Sequence, residues 1–350
     1  MMDESVKAYW NEDYWSRQQS GAIRGICSVI IILHHMAQKT CAPWLPDEFR
    51  VSGLEPFLQI GYLMVGVYLF CSGYGLYLRL KENPDYLDGF IGRHLRPIIL
   101  IFVITNVCYY LIGNEFSGYN WYIYAIFYLY AVFWISFRVF KKDTYSILAL
   151  SGFIALYILI CELFVAGTWC YNTSGTFLVG LVFARHRESI TALIRKQYAA
   201  FIVATVCLLA VSFRAGVRMN DSVSAMTEIK DYNLTRIGAV ALQFVSAALF
   251  SVLLFAVNQK VRIRSMVLEY VGSMGLELYL VHVIFIEAFG YCFGNTEENI
   301  FYIRNLFLYM VAVLAMSAVS ASSMLSHSQI VRSICASVAV TIRPSVHRSS

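Results

Sequence analysis

The chain is 350 residues long, 59% hydrophobic and only 14% charged, with a formal net charge of +5. Soluble domains carry about 25% charged residues; a chain with so few cannot cover its apolar surface in water, so lipid is its solvent and no nucleic-acid partner is expected. No polar stretch is long enough to bury a core of its own, which excludes a separate soluble domain.

The first 20 residues are polar and acidic, without the charged start and apolar run of a secretory signal peptide. A membrane span needs about 20 apolar residues. Ten runs qualify, near 22–38, 57–78, 95–112, 119–137, 146–166, 174–184, 198–216, 236–257, 271–291 and 303–325. The sixth is short and flanked by Arg185 and Arg187. The expected organisation is a cytoplasmic segment 1–21, a ten-helix transmembrane domain 22–325 and a cytoplasmic tail 326–350, Ser- and Arg-rich and without assigned function. The segment 217–235 is the longest external one and is placed to touch an external substrate.

Charge sets the orientation. With the N-terminus inside, only Lys39, Arg50, Arg214, Arg218, Lys230, Arg236 and Arg304 fall outside, and the other 20 of the 27 Lys and Arg are cytoplasmic. Positive residues concentrate on the cytoplasmic side of membrane proteins, so an all-α bundle with both termini inside is predicted. The 24 Tyr, 24 Phe and 6 Trp suit interfacial aromatic belts. The 9 Cys are scattered singly, with the spacing of neither a zinc site nor a disulfide framework, and no metal is expected.

The first span, AIRGICSVIIILHHMAQ, carries Arg24 and His35. Eleven helical steps make about three turns plus 20° and rise roughly 16 Å, so both side chains lie on one face. Ionisable groups inside a span are costly and usually functional, which makes His35 a candidate for chemistry. His34 points about 100° away and reads as structural. The second span holds Gly61, Gly66, Ser72, Gly73 and Gly75, small residues that let membrane helices approach closely; the same feature can leave a groove for a thin ligand arm.

Before the third span, GRHLRP places Arg93 and Arg96 three residues apart, on one side of a helix beginning there. Two guanidiniums suit a phosphate-bearing ligand, while anchoring to lipid headgroups explains either one alone. The ninth span holds Glu277, His282 and Glu287, and the fifth holds Glu162; such groups face the bundle interior and pair there. His282 and Glu287 lie about 140° apart around the helix and are no same-face pair. Walker, GxGxxG, HExxH and GxSxG motifs are absent, leaving nucleotide hydrolysis, dinucleotide redox, zinc proteolysis and serine-hydrolase chemistry without support.

Together these pieces resemble the acyltransferase-3 family of bacterial membrane acyltransferases. The resemblance rests on RG-x(9)-H (Arg24, Gly25, His35), VGVYLFCSGY in the second span, the RxxR element from Arg93 to Arg96 followed by Pro97, NWYIYAIFYLY around Trp121, and GLELYLVH ending in His282. All five run in the family's order. The family often carries a Glu after the Trp of the fourth element; here that stretch reads Tyr124, Ala125, Ile126, so no carboxylate role is expected there.

The resemblance implies a ten-helix enzyme of the bacterial cytoplasmic membrane, an O-acetyltransferase that moves an acyl group, usually acetyl from acetyl-CoA, to a hydroxyl of a cell-surface polysaccharide or lipid-linked sugar. It implies Arg24 and His35 in the catalytic site and Arg93 and Arg96 in cytoplasmic donor binding, with Glu277 and His282 as a second polar cluster. No permanently bound cofactor is expected; acyl-CoA is a substrate. Two other classes remain open from the residues alone: a carrier of lipid-linked sugars, whose buried His and Glu would line a pathway, and a membrane acyltransferase acting on lipids or proteins.

Overall fold

The structure, a computed structural model, describes residues 10–111, 121–164, 167–225, 229–291, 299 and 301–341; side chains at 111, 223–232 and 327–341 fall outside that description. Lys7, Arg343, Arg348 and the middle of the 217–235 segment likewise lie outside the described residues. Among those described there are twelve α-helices and no strand: α1 Arg17–Thr40, α2 Gly61–Glu82, α3 Phe90–Leu111, α4 Trp121–Val139, α5 Asp143–Leu163, α6 Gly175–Arg185, α7 Arg187–Lys196, α8 Tyr198–Ala225, α9 Ile229–Asn258, α10 Met266–Ser273, α11 Gly275–Phe289 and α12 Leu306–Thr341. Eight of them (α1 to α5, α8, α9 and α12) are long and apolar enough to cross a membrane. The chain is a polytopic helical membrane bundle.

The two remaining predicted spans are helical but unlike the rest. The ninth is broken: α10 and α11 meet at 79° around Met274, with Gly272 and Gly275 on either side. The sixth, α6, has 11 residues and reaches only about 16 Å. Its missing length is supplied by irregular chain at Tyr171, Asn172, Thr173 and Ser174, each at most 4% exposed. Non-helical backbone at membrane depth is tolerated where protein surrounds it. Helices α8, α9 and α12 instead run past their predicted limits, since neither 217–235 nor 306–341 contains the Gly or Pro that would stop them.

The helix ends predicted to share one side are tied together. Lys81 at the end of α2 bonds Asp143 at the start of α5 (2.6 Å), Arg138 at the end of α4 bonds Asp88 before α3 (2.5 Å), and Arg185 at the end of α6 bonds Thr144 (3.4 Å). Arg195 holds Glu12 (3.0 Å), and the Asn11 backbone N–H donates to Gln259 O after α9 (2.8 Å). This is the basic end of the bundle. Helix α5 starts there and α6 finishes there, so the chain between them returns to the same end of the bundle.

Close helix contacts rest on small residues, as the second span suggests. Gly73 of α2 and Gly180 of α6 face each other, and a methyl on either would run into a backbone carbonyl of the other helix, Phe177 O or Phe70 O. Gly25 of α1 and Gly272 of α10 make an equivalent crossing against Leu268 O and Gly21 O. Around the first crossing, Trp15, Phe70, Phe183 and Phe255 pack edge to face at 5.3–5.5 Å between ring centroids. Such pairs contribute about 0.5–1.5 kcal/mol each beyond their buried area.

Candidate functional site

Two cavities of similar size, about 870 and 860 Å³, lie end to end along α1. The first is lined by Arg17, Arg24 and Ser28 of α1, by Cys71, Gly75 and Arg79 of α2, by Arg93 and His94 of α3, and by Tyr122 and Tyr130 of α4. Its rim carries the exposed Arg17, Arg79 and Arg93 and so lies at the basic end. Four arginines against Glu82 make it strongly cationic. Gly75 has open space where a side chain would stand, so its hydrogen keeps the cavity wide.

The second cavity occupies the other half of α1, with the exposed Trp44, Gln59 and Trp169 at its mouth. Its lining is aromatic and carboxamide-rich: Tyr62, Trp121 and Tyr291 with Gln38, Asn172, Asn220 and Gln243. Lys39, which also lines it, is paired with Glu287 at 2.8 Å. Charge therefore dominates one cavity and neutral polar groups the other.

The cavities share three lining residues, Ile31, Val65 and Tyr279. Beside this wall two buried histidines meet, His35 facing the second cavity and His282 the first. Nδ1 of His35 is 2.7 Å from Nε2 of His282, and the two ring planes differ by 16°. His282 Nδ1 lies 2.8 Å from the Leu278 carbonyl one turn earlier in α11. An imidazole pair is thus positioned between a cationic and a neutral cavity.

An acyltransferase-domain family model matches residues 20–322, which takes in the second cavity, the histidine pair and all of the first cavity but Trp15 and Arg17. The chain belongs to the acyltransferase-3 family. With its helical spans, it is a membrane acyltransferase. No curated protein and no solved structure matches it.

Against this acyltransferase-3 frame, the sequence-predicted residues separate. Arg24 lines the first cavity and His35 the second, so the residues that share a helix face look into adjoining chambers. The Arg24 guanidinium donates to Ser20 O (3.3 Å), and its carbonyl accepts from the Tyr68 hydroxyl (2.9 Å). His34 also borders the second cavity but donates from Nδ1 to Phe57 O (2.8 Å) and packs on Gly61, a structural position. Arg93 lines the first cavity and donates to Tyr86 O and Asp88 O, which pins the 83–89 turn. Arg96 is exposed one turn further and lines neither cavity. Glu277 is buried in α11 and lines neither; Glu287 pairs with Lys39. Glu162 accepts from the Tyr171 hydroxyl and sits 3.5 Å from the buried Arg236, a cluster that fastens the 167–174 segment to α9.

Several cavity residues escape the sequence reading. His94, beside Arg93, is hydrogen-bonded through Nε2 to the Tyr86 hydroxyl at 2.8 Å. Tyr122 and Tyr130 come from the fourth motif, where attention falls on the missing carboxylate. Gln38 and Gln243 are polar side chains in apolar helices, a signal that membrane burial costs make informative and that the ionisable residues overshadow.

Proposed function

We propose that this acyltransferase moves an acetyl group from acetyl-CoA, held in the cationic cavity, to a hydroxyl of a cell-surface glycan held in the aromatic and carboxamide cavity. The observation that carries the reading is the meeting of two chemically unlike cavities at His35 and His282. Coenzyme A has an anionic phosphate head, which suits Arg17, Arg79 and Arg93 through charge-assisted hydrogen bonds, and a slender arm that suits the space beside Gly75. A sugar offers hydroxyls to carboxamides and C–H faces to indoles, the groups the second cavity carries. In a bacterial cytoplasmic membrane with both termini inside, the donor cavity faces the cytoplasm and the acceptor cavity the exterior.

The chemistry balances across the wall. The acceptor oxygen attacks the thioester carbonyl carbon while His35 takes the hydroxyl proton as general base. The C–S bond then breaks, and the thiolate leaves into the cationic cavity and takes up a proton as free CoA. Arg24 stands about 16 Å along α1 from His35, so it serves the donor rather than the reacting carbon. Mass spectrometry of surface glycans with and without the protein tests the acceptor class. Acyl-CoA-dependent acylation by purified protein tests the base: His35→Gln, which keeps a hydrogen-bonding side chain but cannot take the proton, is expected to lose about 10²–10⁴-fold in turnover without losing thermal stability. Near wild-type turnover in a folded His35→Gln overturns the assignment, and the absence of CoA release would instead make the protein a carrier.

A further inference from the structure

We infer that His282 is a positioning residue that fixes which nitrogen of His35 is basic; this rests on His35 being the base. A carbonyl oxygen only accepts hydrogen bonds, so His282 Nδ1, 2.8 Å from Leu278 O, carries that ring's proton. In a neutral imidazole the other nitrogen is then an acceptor. His282 Nε2 therefore accepts from His35 Nδ1–H across 2.7 Å. The same rule makes His35 Nε2 the lone-pair nitrogen. The two rings are near-parallel, 16° apart with centroids 5.0 Å from one another, and the 2.7 Å Nδ1···Nε2 approach is the contact that fixes the pair. A backbone carbonyl thus sets the tautomer of a histidine 243 residues earlier in the chain through one intervening ring. In hydrolytic triads a carboxylate does this work; here a neutral ring does it, and no buried negative charge is needed beside the acyl donor.

The same chain of bonds offers no onward relay: a proton passed to His282 Nε2 would leave its Nδ1–H facing an amide carbonyl, which takes up no proton. The assigned role of the pair is therefore to orient the base.

The test compares His282→Gln, whose side-chain oxygen can accept from His35 Nδ1–H, with His282→Phe, which keeps the ring shape but offers no acceptor. Steady-state acylation and thermal stability are measured for both, with His35→Gln as the control for the base itself. The expected result is that His282→Gln stays within about threefold of wild-type turnover. His282→Phe should lose about 10- to 100-fold in kcat, the size seen when an orienting partner of a histidine ligand is removed, with KM for acyl-CoA unchanged. A folded His282→Phe with wild-type kcat overturns the inference by making His282 packing. A His282→Gln as impaired as His282→Phe overturns it by making His282 a proton carrier. Nitrogen-15 NMR of histidine-labelled wild-type protein reads the tautomer directly, whatever the variants do: a His35 protonated on Nε2 and bare on Nδ1 overturns it outright. If His35→Gln is itself fully active, the function reading fails while the NMR tautomer still stands or falls alone.

Discussion

Arg93 and Arg96 stand one helical turn apart yet meet different surroundings. Arg93 lines the cationic cavity, whereas Arg96 faces outward. Losing one charge-assisted phosphate contact costs about 1.5–3 kcal/mol, or roughly 10- to 100-fold in affinity. Arg93→Ala is therefore expected to raise the apparent Kd for acyl-CoA by that factor, and Arg96→Ala by much less, as measured by titration of purified protein. Equal losses would mean that the donor extends beyond the cavity onto the exposed face of α3. The same residue-scale logic separates neighbouring histidines. His34→Ala removes a bond to Phe57 O and should retain appreciable turnover, whereas His35→Ala should abolish it. The sequence placed these residues on their helices but put Arg93 and Arg96 on one side, where the structure gives only Arg93 to the cavity. It could not join His35 to His282, which lie 247 positions apart, because helical periodicity carries no information about which helices are neighbours.

At the scale of the elements, two glycines of α2 make opposite predictions. Gly73 lies against the α6 backbone, so Gly73→Ala should overpack the crossing and cost about 1–3 kcal/mol. Gly75 faces open space in the first cavity, so Gly75→Leu should leave thermal stability near wild type while raising KM for acyl-CoA. Melting curves in detergent together with donor kinetics check both; a destabilised Gly75→Leu would show that the space is needed for packing rather than for the donor arm. Hydropathy made the eight long helices legible because each is a continuous apolar run. The short α6 was legible too, as the short sixth run at 174–184, but the bend at Met274 was not, because counting apolar residues reports how much chain prefers lipid and not the direction in which it runs. The pairs that hold those irregular parts, Gly25 with Leu268 and Tyr171 with Glu162, are tertiary and have no local signature.

For the whole molecule, the predicted sidedness has a structural counterpart, since ion pairs and hydrogen bonds gather the predicted cytoplasmic segments at one end. Which compartment that end faces is an experimental matter. Lys141 is exposed at the basic end and Asn233 is exposed near the start of α9 at the other. In a background without native cysteines, Lys141→Cys should resist and Asn233→Cys should accept a membrane-impermeant thiol reagent added from outside. The reverse pattern would invert the protein and assign the cationic cavity to the exterior.

On the proposed placement, the wall between the cavities would also serve as electrical insulation for the cell. In the energised bacterial membrane proposed above, a cavity would open toward each side, and Ile31, Val65 and Tyr279 are what the two cavities have in common. Tyr279 is the bulkiest of the three, so Tyr279→Gly should open a leak. In proteoliposomes carrying an internal pH dye, that variant should dissipate an imposed proton gradient faster than wild type; an unchanged rate would mean that neighbouring side chains close the gap. On this view a wall widened to admit a larger acyl group should leak protons as it gains that activity.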